Sequence, residues 1–385
     1  MGHRTVFATV AATMAVAVAL AAAVAPVSTA QGPLPFAGAT ESRVGGAVEL
    51  KGTIPLTIAG APVAKRYVLR YPGSGWNGAL VVGAHGGSGG SNFDSTGKVI
   101  GTDETALDDV IGRHALAARF AYASVDRDGA ISAAGGLALT NQFADLAAAE
   151  VARRLGRAPE RRYLLGLSMG GGIARAAAET PGTPYAGIVV VAGANGDLPT
   201  RVARQQRMAA LWPGVDPKTH PGLPATDPSV VAFADAIGTP VAARRLWPYT
   251  GNGAVRAAAA APQPAGETSS GVVQVPTIEV AGTWDDFVIT ELRAYRARAS
   301  PAARHRLYLV EGVWHMSGDD DGVQSFQYVA ARMGLDPDVA AAMGAGPSDL
   351  PTVREAFDRL VAWVERGEAP PASQTVAPGR PLMTR

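Results

Sequence analysis

Short apolar runs alternate with segments of helical period along most of this chain, and that alternation leaves few folds open. "ALVVGAHGG" (Ala79–Gly87) reads as a buried strand running into glycines. "ETALDDVIGRHALAARF" has helical spacing, "FAYASVD" is a strand, and "LALTNQFADLAAAEVARRLG" is a long helix closed by Gly156. "RRYLLGL", "GGGIARAAAE" and "YAGIVVVAGAN" repeat the strand–helix–strand order. Two further runs, "AVELKGTIPLTI" and "KRYVLRYP", are β-like and precede them. Strands too apolar to have a wet face, separated by helices, predict a doubly wound, mostly parallel α/β sheet covered on both sides.

The pattern breaks after Asn195. From about 197 to 271 come prolines, scattered Trp and helix fragments without clean strands. It resumes with "VVQVPTIEVAG", "DFVITELRAYRARA", "HRLYLVEG" and a last helix, "TVREAFDRLVAWVERG", followed by a Pro-rich tail. The expectation is one α/β domain over 31–385 with a mainly helical insertion, a lid or cap, after its sixth strand. Within that insertion the low-complexity run "AAAAAPQPAG" predicts a surface loop. At 385 residues and 47% hydrophobic, the chain can bury a core of that size.

The ends and the charge narrow the setting. "MGHR", a long apolar run and "PVSTA" predict a secretory signal peptide over 1–30, cut before Gln31. The alternative is an uncleaved N-terminal membrane anchor, because the run nears spanning length. Basic and acidic residues number 34 and 33, which gives no electrostatic reason to expect nucleic acid or an anionic membrane as partner. There is no cysteine, so disulfides, thiolate metal sites and a cysteine nucleophile are excluded.

Gly166-Leu167-Ser168-Met169-Gly170 is G-x-S-x-G set between a predicted strand and a predicted helix. A very tight turn there would lift the Ser168 hydroxyl above the sheet edge, and flanking side chains would collide with neighbouring elements. The competing reading, a phosphate-binding glycine turn, lacks the Lys and spacing of a P-loop. A serine hydroxyl needs a base. His3 lies in the leader, His114 on a helix face, His220 in a surface turn, and His305 beside two arginines where it should be solvated. His315, in "LYLVEGVWHMSG" just past a strand, is the base candidate. The acid candidates follow "VPTIEVAG" in "TWDDFV": Asp285 first, with Asp286 as the alternative or as a helix cap, and Asp197 third. Oxyanion donors would be the Met169 N–H and one from "AHGGSGG", Gly87 before Gly86, with His85 supporting that loop.

These parts occur in the order oxyanion loop, serine, acid, histidine, each at the end of a predicted strand. The chain resembles the α/β-hydrolase superfamily over most of residues 65–366. More finely, "GWNGALVVGAHGG" and "LVAWVERGEAPPAS" look like segments of tannase and feruloyl-esterase-type hydrolases, and "SMGGG" like the elbow of secreted polyester hydrolases. The cysteine pair that bridges acid and base loops in the first of these groups is absent. The resemblance implies a secreted serine hydrolase acting on carboxylic esters, small or polymeric, through an acyl-enzyme and with no cofactor. A peptidase or amidase, an acyltransferase, or a non-catalytic extracellular binding protein on the same scaffold are the alternatives.

Trp284 and Trp314 flank the acid and base and either line an apolar pocket or pack the loops. Trp212, Trp247 and Tyr249 either roof a cleft or form the core of a small helical unit. "SGDDDG" has consecutive rather than alternating carboxylates, so it is read as a solvated turn and not as a calcium loop. No metal site is expected.

Overall fold

The computed structural model describes residues 35–86, 91–93, 99–127, 133–194, 196–245, 247, 269–285, 288–315 and 347–382. The predicted leader, Gly87, Tyr249, Asp286 and "SGDDDG" lie outside these residues.

Strands β1 (Thr40–Val44), β2 (Ala47–Ile58) and β3 (Ala61–Pro72) form an antiparallel meander at one side of a 10-stranded sheet. Next to it stand β7 (Ala121–Val125), β4 (Ala79–Ala84), β8 (Arg161–Leu167), β9 (Gly187–Val191), β10 (Thr277–Gly282), β11 (His305–Val310) and β12 (Gln374–Val376). β3 meets β7 antiparallel, and every pairing from β7 to β12 is parallel. A separate ribbon pairs β5 (Ser91–Phe93) with β6 (Val99–Thr102).

Side-chain alternation divides the core. Leu80, Val82, Leu164, Ile188 and Val190 point to the side holding α2 (Ala133–Leu155) and α3 (Met169–Glu179). Val81, Tyr163, Leu165, Val189 and Val191 point to the side of α1 (Arg113–Ala117) and of the long C-terminal helix α8 (Leu350–Arg366). Both faces are therefore dry, which is why the strand sequences are continuously apolar rather than alternating.

The segment predicted as one helix over 104–120 is broken: a 3₁₀ turn at Asp103–Thr105, a π turn at Asp108–Gly112, then α1. Asp108 receives both arms of the Arg70 guanidinium, at 2.6 and 2.8 Å, which ties the π turn to β3. The tail after α8 contributes β12, a parallel partner of β11 that the Pro-rich sequence does not announce. Between β9 and β10 lie α4 (Leu198–Leu211), α5 (Pro228–Ile237) and α6 (Pro240–Arg245). They share a small core of Met208, Val230, Phe233 and Ile237, with Trp212 and Trp247 packed against it. Helix α7 (Ile289–Arg298) follows β10. No helix among the described residues is long and apolar enough to cross a membrane.

His305 departs from expectation. It is fully buried, not solvated: as the first residue of β11 it lies 3.6 Å from Glu279 and packs edge-on against Tyr295 of α7.

Candidate active site

β8 ends at Leu167 and α3 begins at Met169, so Ser168 makes the whole turn alone. Its φ of 55° and ψ of −115° put a non-glycine residue in a sparsely populated region, and such strain persists only where neighbours hold it. The Ser168 N–H donates to Val191 O at 2.9 Å, and its carbonyl accepts from Ala194 and Gly172 at 2.8 and 3.2 Å. The turn also demands glycine on both sides. A methyl at Gly166 would overlap the Gly170 carbonyl, and one at Gly170 would overlap Ala84 O and sit 2.5 Å from His85 O. A methyl at Gly86 would stand 2.8 Å from the Ser168 Cβ, so the loop after β4 lies directly against the serine.

The acid loop follows β10 and the base loop follows β11, so parallel neighbours deliver both to the same end of the sheet. Thr283 N–H donates to Val310 O at 2.9 Å, Trp284 N–H to Val313 O at 3.0 Å, and Gly312 N–H to Thr283 Oγ1 at 3.0 Å. These bonds lace the two loops without a disulfide. Asp285 is wholly buried and both its oxygens lie 3.0 Å from His315 Nδ1. A carboxylate can only accept, so Nδ1 carries the proton and Nε2 of the neutral ring presents its lone pair. Ser168 Oγ donates to that nitrogen at 2.8 Å. Of the acids weighed from sequence, the structure joins Asp285 to His315. Asp197 instead meets Arg298 at 2.9 Å.

Trp284 and Trp314 meet edge to face at 5.4 Å, and Arg245 of α6 lies 5.3 Å over Trp284. Trp314 is 4% exposed. These rings pack the acid and base loops against each other. Met169 is the first residue of α3, where opening amides have no partner inside the helix.

His85, directly after β4, is fully buried. Its Nδ1–H donates to Gly86 O at 2.8 Å and its Nε2 accepts the Arg127 N–H at 2.8 Å. Arg127 also donates from Nη2 to His85 O at 3.1 Å, a contribution that no motif announces. His85, Asp103 and Asp126 bring possible ligand atoms within 4.8 Å of one another. Both ring nitrogens are already engaged, so this group has no free imidazole to offer a metal. Burial pushes His85 down to about 4, against about 6.5 in an unfolded chain. The neutral ring's contribution to stability is complete above pH ~6.5 and is lost as pH falls toward ~4, about 3 kcal/mol in all. Urea midpoints should fall more steeply across that window in the native protein than in His85→Gln; parallel curves would contradict this.

A family model described as serine aminopeptidase, S33, matches residues 120–320, a little over half of the chain. No curated protein matches. Among solved structures, a vibralactone cyclase is 16% identical over 82% of this chain and 81% of its own, with a TM-score of 0.45. A 2,6-dihydroxy-pseudo-oxynicotine hydrolase is 14% identical over 86% and 71%, at 0.45. Est1E from Butyrivibrio proteoclasticus is 15% identical over 76% and 98%, at 0.37. The sheet topology and the family match agree: the chain belongs to the serine aminopeptidase S33 family of α/β-hydrolases.

Proposed function

We propose that this hydrolase cleaves carboxylic esters through an acyl-enzyme on Ser168. The observation that carries the reading is the unbroken hydrogen-bonded run from Ser168 Oγ through His315 to the buried Asp285. As Ser168 attacks the ester carbonyl carbon, His315 Nε2 takes its proton, and Asp285 steadies the imidazolium it faces. The oxygen of the tetrahedral intermediate is held by the Met169 N–H, at the positive end of α3, and by an N–H of the Gly86–Gly87 loop. His315 then returns the proton to the leaving alkoxide. Water repeats the sequence with His315 again as base and frees the acid. No cofactor enters these steps. We further propose that residues 1–30 are removed on secretion and that the substrate is a small or polymeric ester met outside the cytoplasm.

The family's name favours a second reading, an aminopeptidase using the same three residues. An amine is a far poorer leaving group than an alkoxide, and an aminopeptidase must in addition seat a free ammonium. Ester cleavage asks less of the residues in hand. Initial rates on p-nitrophenyl acetate and butyrate, feruloyl esters and aminoacyl p-nitroanilides decide between them. The esters should turn over at least ~10²-fold faster in kcat/KM, a margin of about 2.7 kcal/mol. Preference for the anilides would replace the ester reading with the peptidase one.

A further inference from the structure

α3 carries an arginine where its other inward residues are small or apolar. Arg175 is fully buried, and its charge is met by Glu279 of β10, itself buried, through Nε–H to Oε1 at 2.9 Å. Burial works to raise the Glu279 carboxyl, but the Arg175 charge and the neighbouring His305 outweigh it and hold it at about 2. The guanidinium also lies 4.6 Å over the Tyr295 ring.

Its two remaining arms do something more specific. Nη1–H donates to Ala194 O at 2.8 Å and Nη2–H to Gly193 O at 3.3 Å. Gly193 C=O and Ala194 N–H belong to one planar trans peptide and point in opposite directions. With the carbonyl turned to Arg175, the N–H is turned to Ser168, whose carbonyl it reaches at 2.8 Å. The loop needs such a hold: Ala192, at its entry, has a φ of 44°, and Ser168 has a φ of 55°. Two residues past Ala194, the Gly196 N–H donates to Glu291 Oε2 at 3.1 Å.

We propose that Arg175 is a positioning residue for the nucleophile, acting through the Gly193–Ala194 peptide to hold Ser168 in its strained attacking conformation, with Glu279 as its counter-charge. The proposal rests on Ser168 being the nucleophile. A planar fork spanning two successive carbonyls is a task for Arg and not for Lys, whose single ammonium cannot span both in the same plane. Removing Arg175 alone would strand a buried carboxylate, so the informative variants keep or remove the charge pair together.

Arg175→Lys keeps the charge opposite Glu279, and Arg175→Met with Glu279→Gln removes both charges. In each folded variant kcat for a p-nitrophenyl ester should fall about 10–100-fold with KM within about threefold, because geometry and not substrate affinity is lost. Fluorophosphonate labelling of Ser168 should slow in proportion, and the Ala194 amide should exchange its hydrogen faster. If the double variant does not fold, the Lys variant decides. Wild-type kcat in a folded variant, or a loss that follows only the unfolded fraction, would overturn the role. A native protein that neither labels nor hydrolyses esters would sink the ester reading instead, and Ala194 exchange would still decide whether Arg175 holds the loop.

Discussion

Ser168→Ala is expected to lower ester turnover by about 10⁴–10⁶-fold while leaving the fold and the urea midpoint nearly unchanged. The substitution removes one oxygen and keeps the Cβ, so the backbone at φ 55° is no more and no less strained than before. What disappears is the bond-forming atom that lies 2.8 Å from His315 Nε2. His315 keeps its bonds to Asp285, so the site stays assembled and the loss is chemical. Initial rates on p-nitrophenyl butyrate, with a circular dichroism spectrum as the control, measure it. Activity retained within tenfold in a folded variant would remove Ser168 from its role.

Gly170→Ala should have the largest effect on stability, about 3–4 kcal/mol or outright failure to fold. The added methyl would overlap Ala84 O and stand 2.5 Å from His85 O. Both are backbone oxygens at the end of β4, which is fixed between β7 and β8, so neither can give way cheaply. Gly38→Ala is the matched control, since no atom lies within 4 Å of a Cβ there. It should change stability by no more than about 0.5 kcal/mol. Equal urea midpoints for the two variants would show that the elbow is looser than its geometry says.

The six strands from β4 to β11 outside the small β5–β6 ribbon were legible because their short apolar runs are separated by helical periods. G-x-S-x-G, the Asp after β10 and the His after β11 were legible because each follows a strand whose end must reach the same rim. Pairings that depend on distant partners were not. β12 sits in a Pro-rich tail and becomes a strand only because β11 offers it an edge. The helical period over 104–120 says nothing of Arg70, whose fork engages Asp108 at the start of the π turn. His305 looked solvated beside two arginines, yet its side chain turns inward to Glu279 and Tyr295. Arg175 and Glu279 did leave a trace. One is a lone cation in an Ala- and Gly-rich helix, the other a lone acid in "PTIEVAG", and two such charges facing one core have reason to meet.

The most direct measurement is peptide mapping of the native protein after reaction with a fluorophosphonate, alongside Ser168→Ala. The account predicts one adduct, on the peptide containing Ser168, absent from the variant. A native protein that takes no label, or one labelled equally after Ser168→Ala, would contradict it.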